Sequence, residues 1–491
     1  MNNRTLALAI LCVLASAAAF AGPGAEGANS NRGAYLSSSG YIIHPDEIKV
    51  EQYIAQRDYD YALPEFGDLN VITASGINRE NAYILVGLKG KKVPFSDLPP
   101  LNVSFCIDRS GSMTSMMPWV KSCFYIFIDR VRNGDTVSLV DMNTNAQTLI
   151  PPTQIESDAD RTTFKRQVDR ITATGGTDVY AGLQKSYQEV EKNYHFGNIN
   201  RVVILTDGMH NFGEMINKDI LDLASEYREK GINISSVLLG VAANTGLMVD
   251  VAVQGGGSSR FVSDHDEMVK IFKTELDRML VPAARDLKMR LVLADGVELK
   301  NTWGYGNKAE ENTIHYSLPA LHNGDYETMF AELSTKQNRE QAALGSFYVD
   351  YVDLQNDQKS LGPYQIQCDL ASPVDQTIAD PRVREAEGFL ALSRALIDIG
   401  GKTLKIGKLE SELSQYANPS PQRADVVEQI KVEITQNLGL VERTKSYLTD
   451  IGISLGGGKY EKELEILQNY KSTFTEFYRQ YTDVTEPSGG Q

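Results

Sequence analysis

The residues best placed to do chemistry lie in Phe105-Cys106-Ile107-Asp108-Arg109-Ser110-Gly111-Ser112-Met113. An apolar run from Leu101 to Ile107 ends on an acid and two serines in D-x-S-x-S spacing. On the turn after a strand, oxygens at i, i+2 and i+4 can converge on one point. A hard cation such as Mg2+ requires such convergence: a near-octahedral set of oxygen ligands at roughly 2.0–2.1 Å, some of them water. Gly175-Gly176-Thr177-Asp178 brings a hydroxyl on a loop that opens a helix. The stretch from Arg201 to Gly208 brings Thr206 and a second acid, Asp207, at the end of another apolar strand. D-x-S-x-S alone is a weak signal; with the other two pieces at this order and distance it is a strong one.

The elements that must position these groups alternate between short apolar runs and helical periodicity, which predicts a doubly wound α/β sheet. Strands are expected at Leu101–Ile107, Val202–Leu205, Ile232–Leu239 and Arg260–Val262, with a hairpin of Thr136–Met142 and Ala146–Ile150. Helices are expected at Pro118–Val131, Arg161–Ile171, Asp178–Tyr194, Ile216–Glu229, Leu247–Val253 and Glu267–Leu280. In the third of these, Val179, Leu183, Tyr187 and Val190 share one face. In open sheets of this kind ligands sit outside the carboxyl ends of the strands. Asp108 and Asp207 fall at such ends.

These motifs resemble the metal-ion-dependent adhesion site of von Willebrand factor type A domains, over Leu98 to about Leu280. The resemblance implies that Asp108, Ser110, Ser112, Thr177 and Asp207 bind Mg2+, with Mn2+ or Ca2+ possible, and leave one position for a partner's carboxylate. It also suggests an exported bacterial protein. Arg109 stands where many relatives carry a small apolar residue; it points between ligands and adds positive charge nearby. Two other readings stay open, a vestigial site and one used only for stability.

Around this domain (98–280), residues 41–97 and 281–372 read as two parts of a β-rich domain, a β-sandwich with the α/β domain inserted. Its strands include Leu69–Ala74, Tyr83–Leu88, Leu287–Leu293, Val297–Lys300, Thr313–Leu318, Thr328–Leu333, Gly345–Asp353 and Tyr364–Asp369. Turns are expected at Asp295-Gly296, Asn323-Gly324 and Gly362-Pro363. Residues 373–485 read as helical, with helices from Asp380 to about Ile399, Pro421–Asp450 and Tyr460–Tyr481. Residues 22–40, rich in Gly, Ser, Asn and Ala, read as a linker. Arg4, the apolar Leu6–Phe20 and Ala19-Phe20-Ala21 read as a signal peptide over 1–21, which predicts export to periplasm, cell surface or medium. No later run approaches a ~20-residue membrane span.

A formal charge of −16 argues against nucleic acid or an anionic membrane surface as partner. Beyond the leader only Cys106, Cys123 and Cys368 remain, too few for a disulfide scaffold; pairing of Cys106 with Cys123 stays open beside the reading as buried thiols. The six histidines lack an E-x-x-H companion and no G-x-S-x-G elbow occurs. His210 is the one close in sequence to Asp207, and Asp178 is the nearest candidate nucleophile. The chain is therefore expected not to be an enzyme. It reads as an adhesion or scaffolding protein that captures an Asp or Glu of a protein partner through the cation, or else as an envelope-assembly protein whose metal is incidental.

Overall fold

Leu101–Asp108 is buried along its whole length, as a central strand covered on both faces must be. The computed structural model describes residues 33–482 apart from 35, 49, 56, 79–80, 208–216, 240–244, 263–264, 276–281, 305, 336–340, 354, 356 and 370–377. The expected signal peptide lies outside the described residues.

A short helix α1 (Val50–Ile54) precedes strands β1 (Leu69–Ile77) and β2 (Ala82–Gly90). The α/β unit follows as β3 (Leu101–Asp108), α2 (Met117–Arg130), β4 (Thr136–Met142), β5 (Gln147–Gln154), α3 (Asp158–Asp169), α4 (Val179–Glu191), β6 (Ile199–Thr206), α5 (Asn217–Glu229), β7 (Asn233–Leu239), α6 (Thr245–Gln254), β8 (Ser259–Val262) and α7 (His265–Lys270). Its sheet runs β5-β4-β3-β6-β7-β8, parallel except for the β4–β5 hairpin. Val103, Phe105 and Ile107 pack on one face with α2, α3 and α7, while Cys106 packs on the other with α4, α5 and α6. This is the predicted doubly wound layer. Cys106 and Cys123 belong to opposite faces, and both are free thiols. The expected helix Glu267–Leu280 is irregular where it is described: after Lys270 it widens into a π-helical turn, Ile271–Glu275, and 276–280 lie outside the described residues.

Seven strands follow: β9 (Pro282–Leu293), β10 (Val297–Trp303), β11 (Lys308–Glu310), β12 (Thr313–His322), β13 (Tyr326–Thr335), β14 (Gln341–Val352) and β15 (Gln358–Asp369). They form two antiparallel sheets, β1-β2-β13-β10 and β11-β12-β9-β14-β15, which share one apolar core. Since β2 pairs with β13, strands from before and after the α/β unit meet in one sheet. Gly362-Pro363, expected as a turn, lies inside β15 opposite a register shift in β14. An edge strand with a bulge tolerates a residue lacking N–H, so Pro there does not break it. The chain enters and leaves the α/β unit at the β12–β13 turn. Asn323 accepts the Val93 N–H (2.6 Å) and donates to the Val93 carbonyl (2.8 Å), while Pro282 pairs with His322.

The described residues up to Tyr53 group with the C-terminal helices α8 (Pro381–Leu413), α9 (Pro421–Ser454) and α10 (Glu461–Thr482), rather than with the β-rich region to which 41–97 is assigned by sequence. Local contacts explain this. The Ile43 N–H donates to the Tyr470 hydroxyl at 2.9 Å. Within the expected linker, Ser37 is buried and its hydroxyl accepts from Asn469 at 3.0 Å. The helix α8 also passes Ile399, its expected end, and runs on to Leu413. Gly400 serves a close approach: a Cβ there would sit 2.9 Å from the Ile43 carbonyl oxygen. On α9 the buried face takes in Glu433 and Asn437, with Lys405 pairing Glu433, and leaves Val427 and Leu438 half-buried.

His322 is fully buried, and desolvation with the charges of Arg201 and Arg260 pushes it well below 6.5. Asp325, on the adjoining turn, pairs with Arg260 at 3.5 Å. The folded state thus keeps His322 neutral while the unfolded state takes up a proton below about 6.5. Its contribution is present above that pH and is lost as pH falls, by up to about 1.4 kcal/mol per unit. Glu327, buried beside Asp325 and pushed well above 4.5, works in the opposite sense. Comparing His322→Asn with the wild type holds Glu327 constant. Denaturant melts at pH 7.5, 6.5 and 5.5 should show a shallower acid loss in the variant; parallel slopes would contradict the assignment.

Candidate metal centre

Asp108 ends β3 with its side chain fully buried. Oδ1 accepts the Ser110 backbone N–H at 2.8 Å, and Oδ2 accepts the Thr206 hydroxyl at 2.7 Å. The Thr177 hydroxyl reaches Oδ1 at 3.4 Å. The Ser110 and Ser112 hydroxyls lie 2.9 Å apart. Asp207 follows β6, the parallel neighbour of β3, and is 3% exposed. Burial pushes the Asp108 carboxyl up to about 6; the bonds from Ser110 and Thr206 oppose this, and the Asp207 charge adds to it. The five residues singled out in the sequence therefore come from the carboxyl ends of two adjacent strands and one loop.

Three loops are stitched together there. The Arg109 N–H donates to the Met142 carbonyl at 3.3 Å, and its own carbonyl accepts the Thr174 N–H. The Gly111 N–H donates to the Gly175 carbonyl at 3.3 Å, and the Gly176 N–H to the Thr144 hydroxyl at 3.1 Å. Asp178 caps α4 by accepting the Ala181 N–H at 3.0 Å, which fixes where the Thr177 loop ends. That bond gives Asp178 a structural task. Arg109 carries its charge to the Asp141 carboxylate, 2.6 Å away, so the positive charge expected beside the site is neutralised. Asp141 is pulled in two directions: burial raises its pKa and Arg109 lowers it, leaving it raised. Sequence reading missed the roles of Thr206, Asn143, Thr144 and Asp141. Thr206 had a signal, since it stands beside Asp207, whereas Asp141 comes from the end of β4 and Asn143 and Thr144 from the β4–β5 connection. His210 and Gly208 lie outside the described residues.

Among the described residues no three His, Cys, Asp or Glu side chains converge. The donor set is instead two carboxylates and three hydroxyls, hard oxygens that suit Mg2+ or Ca2+ better than a softer metal. Two hydroxyls 2.9 Å apart beside a buried acid also match the spacing of neighbouring ligands on an octahedral ion, about 2.9–3.0 Å for bonds of about 2.1 Å.

Residues 103–210 match the family model of the von Willebrand factor type A domain. The chain carries a type A domain. Its fold is shared with a von Willebrand factor type A protein from Catenulispora acidiphila, with a TM-score of 0.51 at 14% identity over 82% of this chain and 89% of that one. In sequence the chain is similar to the uncharacterized protein YfbK of Escherichia coli, 25% identical over 52% of this chain and 46% of that protein. The uncharacterized Synechocystis protein sll0103 is 25% identical over 57% of this chain and 65% of its own length. The matches thus span about half to two thirds of these relatives. Among the described residues no helix is long and apolar enough to cross a membrane.

Gly175 holds the Thr177 loop of the type A domain in a left-handed conformation (φ +84°), and a Cβ there would lie 2.1 Å from Asn143 Oδ1. Gly175→Ala should cost about 1–3 kcal/mol through strain and clash. Adding Asn143→Ala should return the clash component and leave the strain. Thermal melts in chelator measure both, and an unshifted single variant would show that the loop adjusts freely.

Proposed function

We propose that the type A domain holds a divalent cation, Mg2+ with Mn2+ or Ca2+ as possible substitutes, and through it captures an Asp or Glu carboxylate of a protein partner. The observation that carries this reading is the pair of serine hydroxyls 2.9 Å apart beside the buried Asp108. Asp108 and Asp207 supply the negative charge, while Ser110, Ser112 and Thr177 supply neutral oxygens. Thr206 and the Ser110 N–H hold the Asp108 carboxylate in one orientation. Ser112 and Gly111 are exposed, so the loop presents the site to solvent. The cation, when bound, supplies the positive charge that a partner carboxylate meets. The role is binding, in adhesion or scaffolding of an exported protein, and not catalysis.

Titrating Mg2+ or Mn2+ into the purified protein should give saturable binding and raise Tm, by about 2.7 kcal/mol of stability at a hundredfold excess over Kd. Asp108→Ala should abolish both responses and keep the fold. Unchanged metal affinity in that variant would remove Asp108 from the site. Capture of envelope proteins that persists in chelator would favour the assembly role with an incidental metal.

A further inference from the structure

An acid and a cation flank this site, Asp141 on the neighbouring strand and Arg109 on the loop after Asp108. Asp141 is 2% exposed and lies on β4, where Ile107 pairs with Asp141 and Asp108 with Met142. Arg109 sits between Asp108 and Ser110 in sequence, on the metal loop itself. Its Nη2 meets Asp141 Oδ2 at 2.6 Å. Among the described residues, the buried Arg109 Nε and Asp141 Oδ1 take no hydrogen bond. The two groups are thus held by one charged contact and not by a bidentate fork.

On the divalent-cation reading of the site, we infer that Arg109 and Asp141 are a charge-setting pair: Arg109 masks Asp141, so the cation meets two acids and not three, and keeps its attraction for the partner's carboxylate. An unmasked third acid would hold the cation tighter and repel the incoming carboxylate. Asp141 stands one strand over from Asp108 and one residue back in register, and an uncompensated charge within about 10 Å, at an effective dielectric of about 20, shifts the binding constant of an ion by about tenfold or more. Removing Asp141 instead frees the Arg109 charge, which opposes the cation and attracts the carboxylate. A pair that merely lashed the loop to β4 would behave otherwise, since losing either partner would loosen the loop and weaken both kinds of binding.

The opposite signs make the test. Arg109→Gln, Asp141→Asn and the double variant, in the full chain, are titrated with Mn2+ by calorimetry. The Mn2+-loaded proteins are then titrated with a short peptide bearing one central glutamate, with the glutamine peptide as control. Arg109→Gln should bind Mn2+ about tenfold tighter and the peptide about tenfold weaker, and Asp141→Asn should move both the other way. The double variant should return to within about threefold of wild type, and Arg109→Lys should stay there too. Single variants that shift Mn2+ affinity in the same direction, or not at all, overturn the charge-setting role. A wild-type protein that takes up no Mn2+ overturns the cation reading itself, and the role of the pair with it. Arg109→Gln leaves a buried acid uncompensated, so its fold is checked by melting in chelator. Should it not fold, Asp141→Asn and the double variant carry the decision: weaker Mn2+ and tighter peptide in the first, recovery in the second.

Discussion

The burial of one carboxylate governs the organisation of this molecule. Asp108 is sealed at the carboxyl end of the central strand, where an unsupported charge is costly. Its support comes from near and far along the chain: the Ser110 N–H two residues on, the Thr177 hydroxyl from the α4 loop, and the Thr206 hydroxyl from the neighbouring strand. Each bond requires a different element in register. β3 must lie beside β6, and α4 must start at Asp178, where its cap places the preceding threonine. The sheet order and the site are therefore one constraint. The bonds offset only part of the burial, which leaves the acid well above its ordinary range. A pocket of this kind favours positive charge.

The α/β layer was legible because its signals are local and redundant. Alternate residues of Leu101–Ile107 face two separate cores, and Val179, Leu183, Tyr187 and Val190 are all buried on the face that their spacing marks. The placing of the five expected residues at strand ends and one loop was legible because strand ends in such a sheet point to one edge. The supporting residues were not. Asp141 and Asn143 carry no motif, and their importance arises from the register of β4 on β3 and from the close approach of Gly175. Errors elsewhere have the same origin. Ile399 read as a helix end and Gly362-Pro363 as a turn, yet Gly400 serves helix packing and Gly362-Pro363 an edge bulge. Ser37 read as linker and Ile43 as part of the β-rich domain because their partners, Asn469 and Tyr470, lie more than 400 residues away.

Charge is handled differently at the two ends of the α/β sheet. At the Asp108 loop the acids are buried beneath the exposed Ser112 and Gly111, and Arg109 balances Asp141. Toward the β12–β13 turn, Arg201, Arg260, His322 and Asp325 are sealed. Both β6 and β8 contribute an arginine to that sealed cluster, and β6 also leads into Asp207. One strand thus joins a buried electrostatic clasp to the exposed site.

The pairing of β2 with β13 has a consequence for how the chain reaches this state. Tyr83 lies opposite Glu332, so closing that ladder encloses the whole α/β unit. In an unfolded chain a loop of that length is entropically expensive to close, and contacts of such separation form slowly. A folded α/β unit removes most of the cost, because its entry at Val93 and its exit at Pro282 meet the same turn. During synthesis the β1–β2 hairpin emerges first and waits with an unpaired edge until the later strands arrive. A folded α/β unit thus acts as the template that brings the strands of the sandwich together.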